Sequence, residues 1–558
     1  MARPTSRSFP APANWCADFN IETFIIPKEE VVKGKFNRGM CALLCALAVA
    51  LLPQRQAQAQ QFTLGLSSPP TSMDPQFYNL IPNNNVAAHV FETLVKMDVN
   101  GAPVPALAES WKMIDATTWE FKLRRGVKFH DGSELTAEDV LWSLDRPATI
   151  LGSAGKFDIY TKAIVAKKAL DPYTVQVNTA TPYPLMLQDL FNIFIVSKKA
   201  TQGLKSEDFS AGRGMVGTGP FKFVKFLRDD REELVRNDAY WGKPAAWSNV
   251  TLRFLPNDST RLAALLSGDV QAIENVPSQD ISQIRADDRI TLFTRISARL
   301  IFLFLDVNRD KTPFITDKSG APLTRNPLKD LRVRQALSLA INRDAITERV
   351  MEGLSEPASN LVPLRFVGFS PNLPKIKSDP EAARKLLAEA GYPNGFAMTI
   401  HAPNNRYVND QKIAQSVAQM WSKIGIDVKV DTMPIAVYVG RAGKHDFSVG
   451  LLGWLAQTGE ASSPLRALLA CPDAKDAFGG FNYGQYCNPK VDELLKKALA
   501  TTADKERAQL LQQSAEAALG DVGLIPLHNQ ISTWAAKKGM TYALRSDETT
   551  NAYGFRPE

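Results

Sequence analysis

A chain of 558 residues exceeds what one hydrophobic core ordinarily supports, so it should fold as two or more domains. Its 45% hydrophobic and 22% charged residues exclude a disordered or fibrous protein. The formal charge of +7 drops to +4 when residues 1–59 are set aside, since these hold seven Lys/Arg and four Asp/Glu; so small an excess excludes nucleic acid as an electrostatic partner.

In chain order, the first legible element is Met40 to Leu52, thirteen apolar residues and too few to span a bilayer. Lys33, Lys35 and Arg38 precede it and Ala57-Gln58-Ala59 follows it. A basic stretch, an apolar stretch and an A-x-A site predict a secretory leader over 1–59, with an apolar core at 40–52 and cleavage after Ala59. Cys41 and Cys45 follow Met40 and Leu44, not the small residue that precedes a lipidated cysteine, so a soluble, non-lipidated periplasmic protein is expected. Beyond the leader only Cys471 and Cys487 remain, an even count that predicts a disulfide in an exported protein. Loop-closure arguments give such a bridge about 3 kcal/mol.

Phe62 to Leu66 reads as a strand, followed by a turn-rich segment with Met73-Asp74-Pro75-Gln76. Val86 to Val95 has helical periodicity. In Pro105 to Arg146, Trp119, Phe121 and Leu123 alternate with polar residues as in a half-buried strand, and Val127 and Phe129 resume it before the turn His130-Asp131-Gly132. Thr136 with Asp139 is a capping-box variant opening a helix whose buried face holds Val140, Leu141 and Leu144. Gly212 to Gly217 spells G-x-G-x-x-G, but it neither follows a strand nor opens a helix, so no dinucleotide is expected. Leu300 to Val307 is a continuous apolar strand, and Asn308 to Asn326 an exposed insert. Asp330 should cap a helix over 331–341, Asp344 the next one to Val350, Asp379-Pro380 a third ending near Gly391, and Asn488-Pro489 a fourth over 491–500. Strands at 398–401, 425–431 and 449–454 alternate with these helices, which argues an α/β fold.

The string L-A-E-S-W at 107–111, F-K-L-R-R-G-V-K-F-H-D-G at 121–132 and T-A-E-D-V at 136–140 closely resembles the signature of the peptide- and nickel-type solute-binding proteins of bacterial ABC importers, family 5. T-G-P-F at 218–221 and R-N-D-A-Y-W-G at 236–242 resemble it too. The resemblance implies a two-lobe periplasmic binding protein fold with a hinge, of the large three-subdomain type (cluster C). It implies one lobe of 60–85, 200–300 and 525–558, an inserted subdomain over 86–199, and a second lobe over 301–524. It further implies a monomer that captures a peptide or peptide-like solute between its lobes, without cofactor or metal, and delivers it to the membrane permease.

Site residues follow from the same resemblance. Peptide-binding relatives place an arginine near the strand ending at His401 against the ligand carboxylate, which points to Arg406 with Tyr407; its planar fork suits that task. The loop after Gly453-Trp454 carries an aspartate for the ligand amine in such relatives, and Glu460 stands there, with Thr458 and Trp454 beside it. The loop around Asp74 is expected to enter the cleft. No G-x-S-x-G, H-E-x-x-H or P-loop is present, and the five histidines have no metal-ligand spacing, so a peptidase or amidase reading finds no assembled catalytic residues. A receptor that presents ligand to a sensor shares the expected fold.

Overall fold

The structure is a computed structural model that describes residues 61–99, 101–153, 157–473 and 478–558. The expected leader lies outside the described residues. Two long antiparallel strands, Ile290–Leu305 and Leu524–Lys537, run side by side through the centre of a twelve-stranded sheet. On one side of them the order runs through Ala272–Glu274, Gln61–Leu66, Asn249–Phe254, Arg231–Arg236 and Phe221–Leu227. On the other it runs through Val449–Leu455, Ala397–Pro403 and Ile315–Thr316, with Asp427–Met433 also paired to Ala397–Pro403.

Each half has a parallel core with a helix crossover, edged by antiparallel strands. Gln61–Leu66 is parallel to Asn249–Phe254 and Ala272–Glu274, with helix Asp258–Ser267 between the latter two. Ala397–Pro403 is parallel to Asp427–Met433 and Val449–Leu455, with helix Asp410–Ser422 as crossover. This is the α/β, two-lobe architecture expected.

The apolar run starting at Leu300 shows why one strand can serve two layers. Its side chains alternate at period two. Ile301, Leu303 and Leu305 enter a core with Leu337, Ile400 and Trp421, while Leu300, Phe302 and Phe304 enter another with Tyr438, Leu465 and Leu511. The partner strand passes Ile525 and Leu527 to the first of these cores and Trp534 and Ala536 to a core around Phe62, Phe221 and Leu252. The pairing of the two long strands slips between Ile296 and Leu300.

A separate four-stranded sheet, in the order Ala108–Asp115, Thr118–Leu123, Thr174–Thr179, Ile164–Asp171, carries helix Ala137–Thr149 and its own core around Phe121, Val140 and Val175. The Asp139 carboxylate accepts the Thr136 N–H at 3.0 Å, as the capping pattern predicts. His130 is structural: it lies between the Gly217 N–H and the Gly219 carbonyl and docks this sheet onto the T-G-P-F segment.

Three local expectations need correction. The helix expected at 86–95 runs Ile81–Val90, with Pro82 in its first turn, and the chain turns extended at Phe91. Val127 and Phe129 contribute only to an isolated bridge, Lys128 with Glu134, because the Asp131-Gly132 turn follows too closely. Asn342, not Asp344, caps the helix after residue 341; its side chain accepts the Ala345 N–H at 2.9 Å. Asp330, Asp379 and Asn488 cap as predicted. Cys471 and Cys487 form a disulfide. No helix among the described residues is long and apolar enough to cross a membrane.

Candidate functional site

Three segments singled out in the sequence leave the carboxyl ends of parallel strands: the Asp74 loop after Gln61–Leu66, the Arg406 loop after Ala397–Pro403, and the Trp454–Glu460 loop after Val449–Leu455. In open α/β sheets that is where ligands bind. The slip at 296–300 falls at buried Arg299, and such irregularities re-aim side chains.

Arg299 is engaged. Its Nε and Nη2 donate to Glu548 at 2.9 and 2.6 Å, and the Ser297 hydroxyl donates to the same carboxylate at 2.7 Å. Glu548 holds φ +63°, an uncommon conformation for a side-chain-bearing residue, and so swings its carboxylate onto Arg299. Burial pushes that carboxyl up, but the Arg299 guanidinium more than offsets this and holds it below the usual range.

Arg406 differs. Its loop is fixed by Asp410, whose carboxylate accepts the Arg406 and Tyr407 N–H groups at 3.0 and 3.1 Å, and by Asn409, which donates across the cleft to Ser278 Oγ at 3.0 Å. The Arg406 side chain makes no hydrogen bond or ion pair among the described residues. It is exposed by area, yet enough protein surrounds it that desolvation, then the neighbouring Arg299 charge, lowers its pKa. Accessible but poorly solvated is the condition of a side chain in a narrow cleft. Arg299 and Arg406 share one aromatic face, with guanidinium carbons 5.7 and 5.4 Å from the Tyr407 ring centre. Tyr407 donates its hydroxyl to the Gly453 carbonyl at 3.1 Å, and Gly453 is required there, since a Cβ would stand 2.6 Å from the ring.

The remaining expected residues fall in different places. Trp454 is half-buried; its indole N–H donates to Ser463 at 2.9 Å and its ring meets Phe481. The Thr458 hydroxyl is buried without a hydrogen-bond partner among the described residues. Glu460 is 1% exposed, and its carboxylate is taken by Arg507 Nη2 and the Ser462 hydroxyl. Burial raises its pKa, with Arg507 and Ser462 pulling the other way. Asp74 is bound bidentately by Arg146 at 2.8 and 2.6 Å and by Ser206 at 2.6 Å, which ties the loop to helix Ala137–Thr149. The sequence reading missed Arg299, Glu548 and Arg507. Arg299 alone left a signal, as a lone cation at the head of an apolar run.

Backbone meets backbone beside the Trp454–Glu460 loop. Gly101, between the paired strands Val95–Met97 and Pro103–Pro105, and Gly459, in the loop after Val449–Leu455, both have positive φ, and a Cβ on Gly459 would lie 2.6 Å from the Gly101 carbonyl oxygen. Among the described residues no group of three or more His, Cys, Asp or Glu is placed to hold a metal.

The sequence profile of the bacterial extracellular solute-binding proteins, family 5 (middle region), matches residues 102–476. The chain belongs to this family. As a family 5 solute-binding protein it is the capture component of an ABC importer. It is 30% identical over 497 residues to the glutathione-binding protein GsiB of Pectobacterium atrosepticum, covering 87% of this chain and 91% of that one. It is 27% identical over 504 residues to the dipeptide-binding protein of Escherichia coli K12, covering 85% and 90%. Among solved structures it resembles the ABC transporter-associated periplasmic binding protein DppA of Helicobacter pylori in complex with the peptide STSA. That match has a TM-score of 0.72 at 25% identity, covering 90% of this chain and 99% of that one.

Proposed function

We propose that this family 5 protein captures a peptide-like solute bearing a carboxylate, held by Arg406 between the lobes, and hands it to a membrane permease. The observation that carries the reading is Arg406 itself, an accessible, poorly solvated cation without an anionic partner among the described residues, beside the Tyr407 ring. A guanidinium can hold a carboxylate by two parallel hydrogen bonds. Thr458, with its open hydroxyl, is the second ligand contact in this reading, and Tyr407 and Trp454 form walls. Asp74 and Glu460 support the site from behind, through Arg146 and Arg507. Relatives named for dipeptide and for glutathione support a carboxylate-bearing ligand, since each solute carries at least one carboxylate.

In this reading residues 1–59 are a leader removed after Ala59, and the protein acts in the periplasm as a non-lipidated monomer that binds without catalysing a reaction. One lobe comprises 60–85, 200–300 and 525–558, with 86–199 inserted, and 301–524 form the other. Native mass spectrometry of protein purified without refolding should show a co-purified acid. Truncating one partner of a buried charge pair costs about 2–5 kcal/mol, so Arg406→Ala should weaken calorimetric binding of that acid between about thirty-fold and a few thousand-fold. Binding within about five-fold of wild type, roughly 1 kcal/mol, would remove Arg406 from the site.

A further inference from the structure

A second cavity adjoins the Arg406 cleft. Its volume is about 80 Å3, partly open to solvent, and it lies between helix Ile81–Val90, the segments 91–96 and 191–194, and the C-terminal segment 545–553; Gln457 reaches it from the loop after Val449–Leu455. The two spaces are neighbours, because Asp547 and Thr549 line the cavity while Glu548 between them pairs with Arg299 beside Arg406.

The cavity's charges cancel in pairs. Its two acidic lining residues are Glu92 and Asp547, and its two cationic ones Lys96 and Arg545. Lys96 Nζ donates to Glu92 at 2.7 Å, and Tyr240 and Trp241 occupy the same carboxylate at 2.8 Å each. Arg545 Nε donates to Asp547 at 3.0 Å, and the Thr549 N–H donates to it as well. An ammonium group placed here would lose its water and meet no unpaired anion, which is costly. Glu460 offers none either, since Arg507 holds it.

What stays open is neutral. The Gln457 side chain makes no hydrogen bond among the described residues, and the Asn84 side chain is bonded there only through its Nδ2, to Asn79, leaving its oxygen free. Phe191, Phe194 and Tyr553 supply ring faces. Rings flanked by open amides suit a group that is uncharged, forms hydrogen bonds and has an apolar face.

We propose that this cavity is a subsite for the uncharged, hydrogen-bonding end of an acidic solute, such as an acylated or glycosylated amine, so that the protein selects amine-blocked acids over zwitterionic peptides. The inference rests on the Arg406 reading for the acid end. Solute-free protein is offered three mixtures: a casein digest, the same digest N-acetylated, and the acetylated digest methyl-esterified. Capture is read by native mass spectrometry. At least about ten-fold more should be captured from the acetylated than from the untreated digest, and Gln457→Leu or Asn84→Leu should erase that advantage. Equal or better capture from the untreated digest overturns the proposal, as does an advantage that both variants leave intact. Capture from neither free-acid mixture also overturns it, while an Arg406-dependent co-purified acid would keep the broader reading. Capture of the esterified digest as strongly as of the acetylated one removes the Arg406 anchor, and with it the acid class.

Discussion

Arg507 and Arg406 both follow the first long strand in the chain and meet opposite fates. Arg507 is buried against an equally buried Glu460, so its charge is consumed inside the protein. Arg406 has two acidic neighbours, both committed elsewhere: Asp410 spends its carboxylate on backbone N–H groups, and Glu548 is bonded to Arg299, so its charge reaches Arg406 only at a distance. The difference teaches that a charged residue on a cleft loop is a ligand contact only if the fold leaves it unanswered. Glu460 sits on the expected loop and is answered; Arg406 is not.

Denaturation of single variants breaks the comparison most sharply. Arg507→Met strands a buried carboxylate and should cost about 3–5 kcal/mol of stability. Arg406→Met should change stability by no more than about 0.5 kcal/mol, as for a surface substitution. Replacing Glu460 and Arg507 together by leucine should recover most of the loss, because two apolar groups leave no orphaned charge. Equal destabilisation by the two single variants would mean Arg406 also has an internal partner.

A second buried carboxyl extends the contrast to pH. Asp189 accepts the Tyr183 hydroxyl at 2.6 Å, and burial pushes its pKa up to about 7, against the weaker pull of Tyr183 and Arg466. The folded protein therefore holds a proton here that the unfolded chain releases near pH 4. This group's contribution is full below about pH 4 and is lost as pH rises through 7, at up to about 1.4 kcal/mol per pH unit. Glu548, whose pKa is lowered, works the other way and loses its contribution only in acid. Denaturant titrations at pH 5 and pH 8 should show Asp189→Asn gaining on wild type at the higher pH. A pH-independent difference would place a solvated, ionised carboxyl there.

The smallest effect sharpens the ligand side. Tyr407→Phe removes the bond to the Gly453 carbonyl and should cost about 0.5–1.5 kcal/mol in stability while keeping the ring beneath both guanidinium groups. Tyr407→Leu removes the ring as well, and should weaken acid binding by a further 0.5–1 kcal/mol, roughly, for an exposed cation–π contact.

Much of the fold was legible because its signals are local. Caps at Asp330, Asp379 and Asn488 need only the next two or three residues, and the apolar run from Leu300 announces a strand buried on both faces. Asn342 escaped because Asp344, two positions on, carries the same type of signal. The site was legible only as loops. That Arg507 answers Glu460 from 47 residues away, or Arg146 answers Asp74 from 72, is set by tertiary packing and leaves no mark in spacing. Glu548 was hidden for a different reason: its left-handed backbone is one that sequence patterns assign to glycine or asparagine.

Where Gly101 meets Gly459, main chain stands against main chain. Such a contact reads nothing of a visitor and holds one fixed clearance. A single methyl at position 459 would act as a wedge, because the atom it strikes is a carbonyl oxygen that no rotamer can move aside. This one contact can therefore stay the same while the chemistry behind it is rewritten.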